Sequence, residues 1–73
     1  MTPLELKEAR RTLGLNQVEM ARSLGVSRAG YLHWERGERQ IPGICRVAVE
    51  LLLWKDAVVM RAIKEKITGM GTN

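Results

Sequence analysis

The sequence holds one cysteine, Cys45, among 73 residues, which excludes an intramolecular disulfide and leaves no CxxC pair for a metal centre. Proline occurs only twice, and no apolar run approaches the ~20 residues that span a bilayer. The opening Met1-Thr2-Pro3-Leu4-Glu5 has neither the basic nor the apolar region of a secretory signal. These absences give the expectation of a cytoplasmic protein in a reducing compartment, with no membrane attachment, metal or cofactor. Catalysis fits badly as well. The one histidine, His33, has no companion serine and aspartate arrangement that would make it the base of a nucleophile, so the chain does not read as an enzyme.

What is present is enough to fold. With 45% hydrophobic and 27% charged residues, the chain carries the apolar surface of a core and the charge of a soluble protein, unlike a disordered one. Its length allows a single domain, residues 1–73, near the lower size at which a core holds without disulfides or metal. A formal net charge of +4 and a sequence pI of about 9.8 favour an anionic partner without identifying it.

Capping signals divide the chain into short helices. Thr2-Pro3-Leu4-Glu5 combines a cap, a proline at the first helical position and a glutamate that reaches back to the cap, so a helix is predicted from about Pro3 to Leu13. It carries Leu6, Ala9, Arg10 and Leu13 on one face and ends at Gly14. Asn16 with Glu19 opens a second helix, with Val18, Ala21, Leu24 and Met20 inward, and Gly25 closes it. Ser27 caps a third, in which Tyr31 and Trp34 face in, before Gly37. After a polar loop from Glu38 to Pro42, Ile44, Val47, Ala48 and Leu51 mark a fourth helix, with Cys45 as a small core residue. Leu51-Leu52-Leu53-Trp54, Val58-Val59-Met60, Ile63 and Ile67 continue the apolar pattern over more than one face to a tail from Gly69 to Asn73. Asp56 is placed to cap a fifth helix, yet no glycine or proline forces a break there. The expected fold is therefore all-α, a compact domain of four to five helices containing a helix-turn-helix unit at about residues 17–36.

Two short helices joined by a glycine-containing turn form a unit whose second helix can lie in the DNA major groove. The stretches Leu6…Ala9-Arg10, Leu15-Asn16-Gln17-Val18-Glu19-Met20-Ala21, Leu24-Gly25-Val26-Ser27-Arg28 and Trp34-Glu35-Arg36-Gly37-Glu38-Arg39 resemble the Cro/repressor-type (XRE-like) helix-turn-helix family over roughly Leu4 to Leu52. The resemblance implies a lambda-repressor-like fold and double-stranded DNA as partner.

It assigns base readout to Arg28, Ala29 and His33 on the third helix, with Leu32 beside them either touching a thymine or sugar or covering neighbouring side chains. Arginine can donate two hydrogen bonds to guanine, alanine can meet a thymine methyl, and histidine can bond a purine N7 or a phosphate. Phosphate contacts are expected from Asn16, Gln17, Ser27, Gly30, Arg36, Arg39 and Gln40, with the N–H groups of Gly43 and Ile44 adding an anion site at a helix start. Arg36 or Arg39 could instead enter a narrow minor groove. The resemblance also pairs Glu35 with Arg10 as a structural ion pair. Leu32 departs from the family pattern in being large and apolar, and Gly30 in weakening the helix by about 1 kcal/mol against alanine. The plain alternative for the arginines is a solvated surface.

The C-terminal third, residues 51–67, is too apolar for a monomer of this size to bury. Leu52, Trp54, Val58, Val59, Ile63 and Ile67 are therefore expected to form a homodimer interface, with Lys55, Arg61, Lys64 and Lys66 keeping the remaining surface solvated. A two-fold dimer would set two recognition helices about one DNA turn apart, roughly 34 Å, on an inverted repeat. The function expected is a transcription regulator acting as a repressor, a build that the resemblance associates with phages and mobile elements. The alternative is an antitoxin-like module whose apolar C-terminal helix binds a partner protein.

Overall fold

The computed structural model describes the backbone of residues 1–71 and the side chains through Ile67. Four helices follow one another: α1 (Pro3–Thr12), α2 (Gln17–Leu24), α3 (Arg28–Glu35) and α4 (Gly43–Gly71), with no strand among the described residues.

The starts of the first two helices are fixed by reciprocal capping. In α1 the Thr2 hydroxyl accepts from the Glu5 N–H at 3.1 Å while the Glu5 carboxylate accepts from the Thr2 N–H at 2.8 Å. Asn16 and Glu19 repeat the device in α2 at 2.8 and 2.9 Å. The cap of α3 is one-sided, with Ser27 Oγ accepting from the Gly30 N–H at 3.1 Å. Between α2 and α3 the chain reverses at Gly25, whose φ of +71° is open to glycine and costs other residues about 1–2 kcal/mol. The Val26 N–H then returns to the Ala21 carbonyl at 3.0 Å, which sets the angle between the two helices.

Leu6, Ala9, Met20, Ala21, Tyr31, Ile41, Cys45 and Val49 form the core, flanked by half-buried Leu13, Leu24, Trp34, Leu52 and Leu53 among others. Tyr31 and Trp34 meet edge to face with ring centres 6.3 Å apart, and burial pushes the Cys45 thiol up, away from the thiolate that reactivity needs.

The structure corrects the expectations for Val18 and for the tail, fixes the phase of α4, and decides between the open alternatives at Asp56. Val18 is 40% exposed rather than inward, because the buried stripe of α2 is Gln17, Met20, Ala21 and Leu24, spaced i, i+3, i+4, i+7, with polar Gln17 holding the place that Val18 was expected to take. In α4 the inward face is Cys45, Ala48, Val49, Leu52 and Leu53, leaving Ile44 at 73% and Leu51 at 60% exposure, with Val47 exposed beside them. Its phase is set from outside the helix by Ile41, buried in the preceding loop one turn before Cys45. Finally, the backbone passes Asp56 without interruption and stays helical to Gly71, so there is no fifth helix and Gly69 to Gly71 do not start a tail. Thr72 and Asn73, also assigned to that tail, lie outside the described residues.

At ~1.5 Å per residue, the 29 residues of α4 reach about 43 Å, and the molecule measures 53 × 20 × 19 Å. The three-helix body covers α4 only as far as Leu53 and, partly, Asp56; every side chain from Ala57 to Ile67 is exposed. Among the described residues no helix is long and apolar enough to cross a membrane.

Candidate nucleic-acid interface

The end of α3 is anchored at Glu35, which is only 3% exposed. A buried carboxylate is costly unless its oxygens are met, and three donors from three helices meet them. Arg10 Nε of α1 donates to one oxygen at 2.7 Å, and Tyr31 Oη, one turn earlier on α3, donates to the same atom. Gln17 Nε2 of α2 donates to the other at 3.1 Å, where Arg10 Nη2 also lies at 3.4 Å. Arg10 in turn donates to the Leu15 carbonyl at 3.2 Å. Burial alone would raise the Glu35 carboxyl, but the hydrogen bonds from Arg10, Tyr31 and Gln17 outweigh it and hold the group below its ordinary value. The bond to Glu35 raises Arg10 further, and burial followed by the same bond raises Tyr31. The two charges therefore persist at any ordinary pH. Among the described residues no buried side-chain nitrogen or oxygen lacks a partner.

This centre joins Arg10 and Glu35 and draws in Gln17, which the sequence had suggested only for phosphate contact. The amide nitrogen of Gln17 is directed inward to Glu35, from a half-buried position at the start of α2. Tyr31 was legible as a core aromatic; its hydroxyl role follows from the i, i+4 spacing to Glu35.

From that anchor α3 runs back to a free N-terminal end. Arg28 and Ala29 are exposed, and Leu32 and His33 are half-buried. Ala29 and His33 are one turn apart, so they share a face. His33 Nδ1 lies 3.0 Å from a Glu38 carboxylate oxygen, a pairing across five residues that the sequence reading missed. A carboxylate only accepts, so in this pair Nδ1 is the donor, and Nε2 is the ring nitrogen that the contact leaves unengaged.

Beyond α3, Arg36, Arg39 and Gln40 are exposed on the loop that leads to α4, with the Arg36 guanidinium 4.0 Å from Glu38. Gly43 and Ile44 follow as the exposed first residues of α4, where backbone N–H groups lack intrahelical partners. Ser27 and Asn16 keep exposed side chains beside the starts of α3 and α2. Gly30 is placed differently: its N–H is engaged by Ser27, and a Cβ there would stand 3.1 Å from the Ser27 hydroxyl. A side chain at this position would therefore press on the Ser27 hydroxyl by a few tenths of an ångström. The residues expected at a dimer interface lie elsewhere, along α4. Leu52 is half-buried on the chain's own core, while Trp54, Val58, Val59, Ile63 and Ile67 are exposed.

Among the described residues no group of three His, Cys, Asp or Glu side chains could hold a metal. What the site offers is cations, amides and helix starts on one rigid frame, the donor set that phosphates and base edges require. Comparisons with curated proteins and with solved structures gave no match. A family model described as helix-turn-helix matches residues 6–44, more than half of the chain, spanning α1, the capped α2–turn–α3 unit, the Glu35 anchor and the arginine loop. The chain belongs to the XRE/Cro-like helix-turn-helix family of DNA-binding regulators.

Proposed function

We propose that this protein is a homodimeric transcriptional repressor that binds an inverted-repeat operator in double-stranded DNA, with α3 in the major groove. The observation that carries the reading is the contrast between the two ends of α3. Its Glu35 end is tied to α1 and α2 by a buried network, while its Arg28 end is exposed on a capped helix. A helix held so firmly at one end presents the other with little loss of conformational freedom on binding.

In this reading Arg28, Ala29, Leu32 and His33 meet base edges, with Arg28 donating to guanine. Asn16, Gln17, Ser27, Arg36, Arg39 and Gln40, with the first N–H groups of α4 at Gly43 and Ile44, meet the phosphates and set the register. The helix-turn-helix unit occupies about residues 17–36, and two copies pair along α4. Occlusion of a promoter is the simplest result of operator binding and gives the repressor role. Selection of bound sequences from a random duplex pool at near-physiological salt tests the proposal. An inverted repeat with half-sites about one turn apart is expected, and a folded protein that enriches nothing would overturn it.

A second reading is favoured by one observation. Met60, Ile63 and Ile67 remain exposed on the part of α4 that projects past the body, and this fits a module that holds a partner protein there.

A further inference from the structure

The apolar residues of α4 form two stripes on opposite sides of the helix. The inner stripe, Cys45, Val49, Leu52 and Leu53, packs on the body, and the same phase continues through Asp56 to Met60, Ile63 and Ile67 beyond it. The outer stripe is Ile44, Val47, Leu51, Trp54 and Val58, each between 46% and 73% exposed. Its spacing of 3, 4, 3 and 4 residues is the a/d pattern of a two-helix seam, and at 100° per residue it lies about half a turn from the inner stripe. Trp54 and Val58 thus fall on one face and Leu52, Ile63 and Ile67 on the other, so one straight contact between two helices uses one group or the other.

We propose that the outer stripe is the dimer seam and that it takes the same stripe of a second copy of this chain, with the two α4 helices parallel and in register. This rests on the dimeric reading above and specifies its geometry. The inner stripe is occupied by the chain's own core as far as Leu53 and then interrupted by the Asp56 carboxylate. The outer stripe is unbroken over four turns, until Arg61. Five large side chains at these exposures offer on the order of 600 Å² per copy, and two copies reach the low end of specific interfaces, about 1,200 Å².

Charge selects the direction. Glu50 and Lys55 flank the seam at the positions that face each other between parallel helices, so each Glu50 meets the other copy's Lys55 on both sides of the pair. An antiparallel pairing that overlaps the stripe end to end sets Glu50 against Ala57 and Lys55 against Ala48. Within one chain Glu50 is held by Arg46 at 3.2 Å, an exposed pair of the kind that is readily exchanged. A parallel pair also directs both α4 N-termini to one side, the side on which Gly43 and Ile44 are proposed to meet phosphates.

Sedimentation of the full chain and of two variants tests the seam. Leu51→Lys should raise the dimer dissociation constant by about tenfold or more, while Ile63→Lys should leave it unchanged. Both positions are exposed, and unaltered helical and near-ultraviolet circular dichroism verifies the fold in each. A monomeric parent, or dissociation caused by Ile63→Lys instead, would overturn the assignment. Direction is read by oxidation: Val58→Cys should form a disulfide with its own copy. Linkage only in a mixture of Val47→Cys and Val58→Cys would establish the antiparallel pairing and sink the parallel one. Sequence selection on the parent protein remains independent, so a dimer that enriches no DNA defeats the regulator reading and leaves the seam in place.

Discussion

The body and the projecting half of α4 solve the problem of polar and apolar surface in opposite ways. In the body a charged residue is buried and all its partners come from the same chain: Arg10, Gln17 and Tyr31 close around Glu35. In α4 past Asp56 the apolar residues Val58, Val59, Met60, Ile63 and Ile67 are exposed. The first arrangement is complete in a monomer. The second leaves apolar surface of the kind that marks an interaction site. One region closes its polar network within the chain, and the other leaves apolar surface open to contact.

The largest effect is expected from removing one partner of the buried centre. Arg10→Met should cost about 3–5 kcal/mol, because Glu35 then stays buried without its cation; denaturant unfolding measures this, and a loss below 1 kcal/mol would show that the body does not depend on the pair. Acid should act on the same centre. Glu35 is held below its ordinary carboxyl value, so the stability it contributes is complete above the unfolded value of about 4.3 and is lost as pH falls through the lower folded value. Thermal unfolding between pH 6 and pH 2 should therefore fall less steeply in Glu35→Gln than in the parent. Glu5, lowered chiefly by its bond from the Thr2 backbone, contributes with the same sign in both proteins.

At the exposed end of α3 the expected effects concern binding. Arg28→Ala should weaken the selected operator by about 1–3 kcal/mol and random DNA little. Arg39→Ala should weaken all sequences alike and reduce the salt slope by about one unit. Equal losses on both DNAs would make Arg28 a phosphate contact. The smallest effect belongs to the projecting half: Ile67→Ser should change monomer stability by no more than about 0.5 kcal/mol, and a larger loss would mean that the tip already packs on something.

The starts of the helices were legible because capping is a local code. Thr2 with Glu5, Asn16 with Glu19 and Ser27 each act within four residues, and Gly25 needs no distant neighbour to adopt its turn. The helix-turn-helix unit followed from those signals, and the family from the residues between them. Phase was harder to read. Gln17 fills an inward position that a polarity rule assigns to Val18, because its true partner, Glu35, lies 18 residues away. Ile41 sits in a polar loop and shows itself only as an isolated apolar residue. It nonetheless fixes which side of α4 turns inward, a choice that a helix apolar on two faces leaves open. The bond between His33 and Glu38 depends on how the chain folds back after α3, which no helical periodicity encodes.

The capping pattern also sorts the four helices by the electrical character of their first turns. Glu5 and Glu19 place a carboxylate at the positive ends of α1 and α2, whereas α3 and α4 have no acidic residue in the first turn. The partial positive charge of an α-helix N-terminus is thus quenched at α1 and α2 and left bare at α3 and α4. An anion arriving at α2 would be held by the Asn16 and Gln17 amides against a resident negative charge, while one arriving at α3 or α4 would meet an unopposed field. The same few residues that decide where each helix begins therefore also set the charge of its first turn.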